Sequence, residues 1–316
     1  RGIYILSFLS LMIFSALIIF FLKYKKENYN FNLKSRETFI LANNWFMVFF
    51  LVTVLIGMLY PIFLDVLTNI KISVGPPFFN IVIIPLVVPF MFLMAIGPKF
   101  GWIKSQNKIF YKILFLISGA IVINLFILYF FGNYSLMTNL IFIAAIFLIL
   151  YSILDVKKLI NNKNKAELPR IISHLGFGLL VFFIGINHQF SLEEDFNLKV
   201  GETKITNNFN INFEDIKIKE NKNYKAVIGS FKLTNLKNNL VQYLNPEIRI
   251  YSNPETLTYE AAIKTKITSD LYLTMSNVSR SAYYNIKFQN KPFMIWIWLS
   301  ALMIALGGFT RLALKK

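Results

Sequence analysis

Apolar residues run along this chain in long, nearly unbroken stretches rather than on alternating faces. A helix needs about 20 consecutive apolar residues to cross the hydrocarbon core of a bilayer. Seven stretches qualify: Ile3 to Leu22, Phe39 to Tyr60, Phe79 to Ile96, Ile109 to Phe131, Leu136 to Leu154, Ile171 to Asn187 and Phe293 to Leu312. Charge, proline or Gly–Asn turns bound them. Between the sixth and the seventh the period changes. The polar stretch Gln189 to Asn290 alternates in "KITNNFNINFEDIKIKE", "YKAVIGSFKLTN", "EIRIY", "AAIKTKI" and "LYLTM", with Asn–Lys and Ser–Asn–Pro turns between. Period-two alternation with such turns predicts a small antiparallel β domain with one buried face. The expected fold is a polytopic α-helical membrane protein of about seven transmembrane helices with a small antiparallel β domain on the outer side. Residues 1–188 form six spans, 189–290 the β domain, and 291–316 the last span and its tail.

Lysine and arginine placement orients the spans. Lys23, Lys25, Lys26, Lys34 and Arg36 follow the first span, and only Lys71 follows the second. Lys99, Lys104, Lys108 and Lys112 come next, and the turn Gly132 to Ser135 carries none. Lys157, Lys158, Lys163, Lys165 and Arg170 precede the sixth span, and Arg311, Lys315 and Lys316 end the chain. Rich and poor loops alternate, which puts Arg1 and the β domain outside and Lys316 inside. The formal charge of +17 is largely this signal, so it makes no case for nucleic acid. The first apolar run lacks a basic start and a cleavage site and does not read as a signal peptide. The chain opens on Arg1 rather than Met and reads as a fragment, or as a processed or gene-split product.

Chemistry is sparse. Without cysteine there are no disulfides, CxxC motifs or thiolate metal sites. No Ser–His–Asp set, phosphate loop or metal cluster stands out, and the β stretch holds no histidine. No carboxylate lies mid-membrane, since Asp65 and Asp155 sit near span ends; this speaks against an ion-coupled transporter. "SRETFILANN" opens the second span, with Ser35 placed to cap it, Glu37 in its first turn, and Asn43 and Asn44 set for helix-to-helix hydrogen bonds. "GMLYP" ends the same span. "ISVGPPFFN" is a stiff outer loop, with Asn80 opening the third span.

The exception is His174, one turn inside "RIISHLGFGLLVFFIGINHQF". At 100° per residue, Arg170, Gly178, Val181, Gly185 and His188 fall within about 40° of it. Two glycines beside a histidine make a flat strip against which a planar macrocycle or another helix could lie. The residues alone leave two readings open: an axial haem ligand with Arg170 placed to meet a propionate, or a hydrogen-bonded histidine at a glycine-lined helix contact. His188 lies about 21 Å further along the helix and suits a residue reaching the outer interface.

Taken together, "SRETFILANN" with "GMLYP", "KISVGPPFFN", "RIISHLGFGLLVFFIG", "PEIRIYSNPETLTYEAAI" with "DLYLTM", and "KPFMIWIWLSALMIALGGF" resemble the C-terminal half of the CcmF family, in order and over the whole chain. These are membrane haem lyase subunits of cytochrome c maturation. The resemblance implies a b-type haem (haem b) held by two histidines from different helices, of which His174 matches the one in the "HLG" motif. Gly178 and Gly185 would face it. The other ligand and the outer haem-handling segment would lie upstream of Arg1, leaving no catalytic residue in this chain. The implied partners are the haem chaperone CcmE, other maturation membrane subunits, apocytochrome c and a quinol. The implied reaction joins haem vinyls to CxxCH thiols at the outer face of a bacterial inner membrane. Related nitrite-reductase haem lyases share much of the pattern. A small-molecule transporter and a structural subunit docking a partner through its β domain are the alternatives.

Overall fold

A computed structural model describes every residue except 1, 25–34, 103–107, 133, 163–164, 207, 278–281 and 315–316. The terminus Arg1 and the basic positions Lys25, Lys26, Lys34, Lys104, Lys163, Lys315 and Lys316 lie outside the described residues. The described helices are α1 (Gly2–Lys23), α2 (Arg36–Thr68), α3 (Pro76–Ile96), α4 (Lys108–Phe131), α5 (Leu136–Asn162), α6 (Leu168–Phe190) and α7 (Met294–Ala313). All seven are long and apolar enough to cross a membrane. The chain is a multi-pass membrane protein. It forms two compact units, Arg1–Val181 with Met303–Lys316, and Phe182–Leu302.

In the first unit α3 packs on α2 and on α5, α4 on α5, and α1 on α2. α5 is the most enclosed helix, burying Phe142, Ala144, Ala145, Phe147 and Leu148. α1 buries nothing, and α2 leaves Trp45 75% exposed. Apolar surface of this extent is stable against lipid, where the backbone bonds of a helix are already satisfied internally. Ser35 caps α2 as its position predicts: its Oγ accepts from the Thr38 amide at 3.3 Å, an arrangement worth about 1 kcal/mol.

Two helix limits differ from the sequence reading. α2 continues through Pro61 to Thr68 and stops at Asn69, which adopts a left-handed conformation with φ of 56°. A proline inside a membrane helix is tolerated because local adjustments satisfy the carbonyl it leaves free. α3 begins at Pro76, capped by Gly75, rather than at Phe79. Proline is well placed in a first turn, where its missing N–H would have no partner anyway.

The second unit is a β-sandwich between the end of α6 and the start of α7. Its strands are β1 (Leu192–Leu198), β2 (Thr203–Ile205), β3 (Phe209–Glu220), β4 (Tyr224–Asn235), β5 (Val241–Leu244), β6 (Glu247–Ser252), β7 (Glu255–Glu260), β8 (Ala262–Lys264), β9 (Ser269–Asn277) and β10 (Tyr284–Pro292). One antiparallel sheet has the order β1-β10-β9-β8, and the other β2-β3-β4-β6-β7 with β5 also on β4. β5 and β6 share one edge of β4 as an interrupted strand, broken at Pro246, whose carbonyl still accepts from the Gly229 amide at 3.0 Å. The alternation predicted from "NINFEDIKIKE" appears as inward Phe209, Ile211 and Phe213 on β3. They meet Phe231, Leu233, Ile248, Leu273, Met275, Ile286 and Phe288 in one core. Phe213 and Phe231 stack at 4.2 Å between ring centroids.

Candidate functional site

The helix that carries His174 has three different neighbours within the first unit. One face of α6 meets α7 closely. A Cβ on Gly176 would stand 3.0 Å from the Ile304 amide nitrogen, and one on Gly307 would stand 2.9 Å from the Pro169 carbonyl oxygen. Ser173 Oγ donates to the Ile304 carbonyl at 3.4 Å. Small residues on both helices allow this approach. A second face meets α5. Gly178 is buried, and a Cβ there would lie 2.9 Å from Ile149 Cγ1 and 3.4 Å from the Ala145 carbonyl. The strip expected at Gly178 for a flat ligand is therefore occupied by α5. Gly185 falls in the part of α6 that belongs to the second unit, and His188 is exposed.

The third face opens on a cavity of about 430 Å³. His174 and Phe177 line it from α6, Arg36, Phe39, Asn43 and Met47 from α2, and Phe90 and Met94 from α3. The spacing of the α2 residues puts them on one helical face. Phe90 packs edge-on against Phe177 at 5.8 Å and against Phe50 at 5.5 Å, which stiffens the wall. Phe39 stacks on Phe100 at 4.4 Å. His174 is half-buried, and its imidazole makes no hydrogen bond or ion pair among the described residues. Asn43 lines this cavity instead of bonding another helix, and Asn44 is exposed. The sequence reading missed Arg36, Phe39 and Phe90 as neighbours of His174. The signal available was the one-face spacing of Arg36, Phe39, Ile40, Asn43 and Met47.

Arg170 is engaged elsewhere. Its Nη1 donates to Asp155 Oδ2 at 3.1 Å and its Nη2 to Glu167 Oε2 at 2.8 Å. Lys99 pairs with the other oxygen of Asp155. Asp155 is therefore more than a residue at a span end, since this buried carboxylate pairs with two half-buried cations. Among the described residues no cluster of His, Asp and Glu could hold a bare metal ion.

Seven apolar helices, a cavity opened by a free imidazole and a β-sandwich set between the last two helices define a polytopic membrane protein with an extramembrane sandwich module. A family model described as the CcmF C-terminal beta-sandwich matches residues 189–292. The cytochrome c-type biogenesis protein CcmF of Pseudomonas aeruginosa is 28% identical over 98% of this chain and 49% of its own length. That of Escherichia coli K12 is 30% identical over 98% of this chain and 48% of its own. A solved structure of the cytochrome c haem lyase CcmF shares the fold, with a TM-score of 0.70 at 17% identity, over 87% of this chain and 45% of that one. The chain belongs to the CcmF family. It spans about half the length of the curated relatives it matches.

Proposed function

We propose that this chain supplies one axial ligand, His174, to a b-type haem within a cytochrome c haem lyase. The observation that carries the reading is the His174 imidazole, which lines a cavity and has no bonding partner among the described residues. The donor set fits a haem: one imidazole nitrogen, a wall of Phe, Leu and Met, and arginine at the cavity edge. The cavity volume of about 430 Å³ lies within the range usual for ligand pockets.

In this reading the α6–α7 and α5–α6 contacts have a plain task. They fix the rotation of α6 about its axis, so that His174 points to α2 and α3. Phe90 and Phe177 keep water from the imidazole. When bound, the haem supplies one-electron chemistry, by which iron is kept reduced while vinyl groups of a substrate haem join the thiols of a CxxCH apocytochrome c. A quinol is the electron source, and CcmE and other maturation subunits are the partners. In this reading the sandwich lies on the periplasmic side of a bacterial inner membrane and the C-terminus in the cytoplasm, an orientation that the alternation of basic loops supports. The test is the optical spectrum of the full-length protein purified with and without His174→Ala. A low-spin haem spectrum that disappears or turns high-spin supports the reading, and an unchanged one refutes it.

A further inference from the structure

A second cavity adjoins the one that His174 lines. It measures about 480 Å³ and shares Arg36 and Pro98 with the first. Arg36, Arg170 and Arg311 converge on it from three helices, with Glu167 as its acidic lining residue. Arg36 opens α2, Arg170 lies in the first turn of α6, and Arg311 lies in the last turn of α7. The three guanidinium groups differ in what already holds them. Arg170 is committed to Asp155 and Glu167. Arg36 lies over the face of Trp102, 4.9 Å from the ring centroid. That contact uses the flat side of the guanidinium and leaves its N–H edge for an anion. Arg311 has no carboxylate partner among the described residues.

A topology signal asks only that basic residues sit at the same end of the spans. It does not ask that they share a cavity, where like charges repel. Convergence of this kind is stable with an anion between them, and guanidinium groups bind carboxylates in paired, parallel hydrogen bonds. The two cavities together suit a molecule with a broad apolar body and an anionic end. Haem has that shape, with two carboxylates on one edge.

Resting on the reading of His174 as a haem ligand, we infer that Arg36 and Arg311 receive the two haem carboxylates, while Arg170 stays bound to Asp155 and Glu167 and positions the pocket. This moves the carboxylate contact from Arg170, where the sequence spacing put it, to two residues far away in sequence.

The experiment uses the full-length protein stripped of haem and titrated with haem or with haem dimethyl ester, whose carboxylates carry no charge. The wild type should prefer haem to the ester by about tenfold or more. The double variant Arg36→Gln/Arg311→Gln should lose that preference and still give the low-spin spectrum at saturation, because His174 is intact. Arg311→Gln alone should lose part of it, which covers the case of a misfolded double variant, and Arg311→Lys should restore a share of that loss, because lysine returns the charge but not the paired hydrogen bonds. A double variant that keeps the full preference overturns the inference while leaving His174 in place. Loss of a co-purified anionic phospholipid from the double variant, with the haem preference unchanged, also overturns it and makes the basic cavity a lipid site. A wild type that binds neither form with a low-spin spectrum overturns the His174 reading and this one with it.

Discussion

Arg170 on α6 reaches Asp155 on α5 across 3.1 Å, and Asp155 is only 4% exposed. Lys99 meets the same carboxylate from the end of α3. One buried anion thus ties three helices of the first unit together. Lys99 also stands 5.3 Å over the ring of Tyr151, one turn back on α5.

Removing that anion should be costly. Asp155→Ala leaves Lys99 without its carboxylate and Arg170 with Glu167 alone, and breaking a buried pair from one side costs about 3–5 kcal/mol. The thermal midpoint of the purified protein should fall clearly. Asp155→Leu combined with Lys99→Met removes charge from both sides and should recover most of the loss. A double variant no better than Asp155→Ala would count against the pairing.

Gly307 and Gly308 are neighbours on α7 with opposite surroundings. A Cβ on Gly307 would crowd the Ser173 amide at 2.8 Å, while one on Gly308 would meet nothing within 4 Å. Gly307→Ala should destabilise by about 1–3 kcal/mol through overpacking. Gly308→Ala should be neutral or slightly stabilising, because alanine favours helix over glycine by up to about 1 kcal/mol. Thermal midpoints of the two variants should separate in that order.

The two histidines of α6 should behave differently. His174→Ala should abolish the low-spin haem spectrum of the full-length protein. His188→Ala should leave it unchanged, since fourteen residues of helix set the two about 21 Å apart. Visible spectra of both variants, taken oxidised and reduced, decide the matter.

In the sandwich, Phe231→Ala should cost about 3–5 kcal/mol, as expected for a large aromatic side chain with no exposed surface. It also removes the stacked partner of Phe213. Hydrogen exchange of the β3 and β4 amides should speed up, while the amides of α5 should keep their protection.

Reporter fusions at Asn238, in the exposed turn after β4, should score as external, and fusions at Lys158, at the exposed end of α5, as internal. The opposite pattern would invert the orientation read from the basic loops.

The seven spans were legible because run length and charge set them, and both are properties of the chain alone. The ends were less so. Pro61 and Pro76 look like boundaries in one dimension, yet one sits inside α2 and the other begins α3. In the sandwich, β3 and β4 were plain from alternation, whereas β1, β5, β7 and β10 lie outside the stretches the pattern singled out. β5 has four residues and depends on its pairing with β4. His174 stood out as an ionisable group in an apolar run. Its cavity did not, because periodicity says which residues share a face of α6 but not which helix covers that face. Gly178 shows the difference: it was placed beside His174 by angle, and α5 fills the space in front of it.

Ser191 alone stands between the last residue of α6 and β1, and Phe293 alone between β10 and α7. β1 and β10 are themselves paired, with Leu192 opposite Asn290. Asn187 Nδ2 donates to the Pro292 carbonyl at 2.7 Å, and Phe183 stacks on Trp296 at 5.7 Å, so the two junctions are clamped together. The sandwich thus joins the ends of α6 and α7 that belong to its own unit through one residue each. Within this unit, pulling the two junctions apart would mean unzipping β1 from β10, breaking the Asn187–Pro292 hydrogen bond and unstacking Phe183 from Trp296 together.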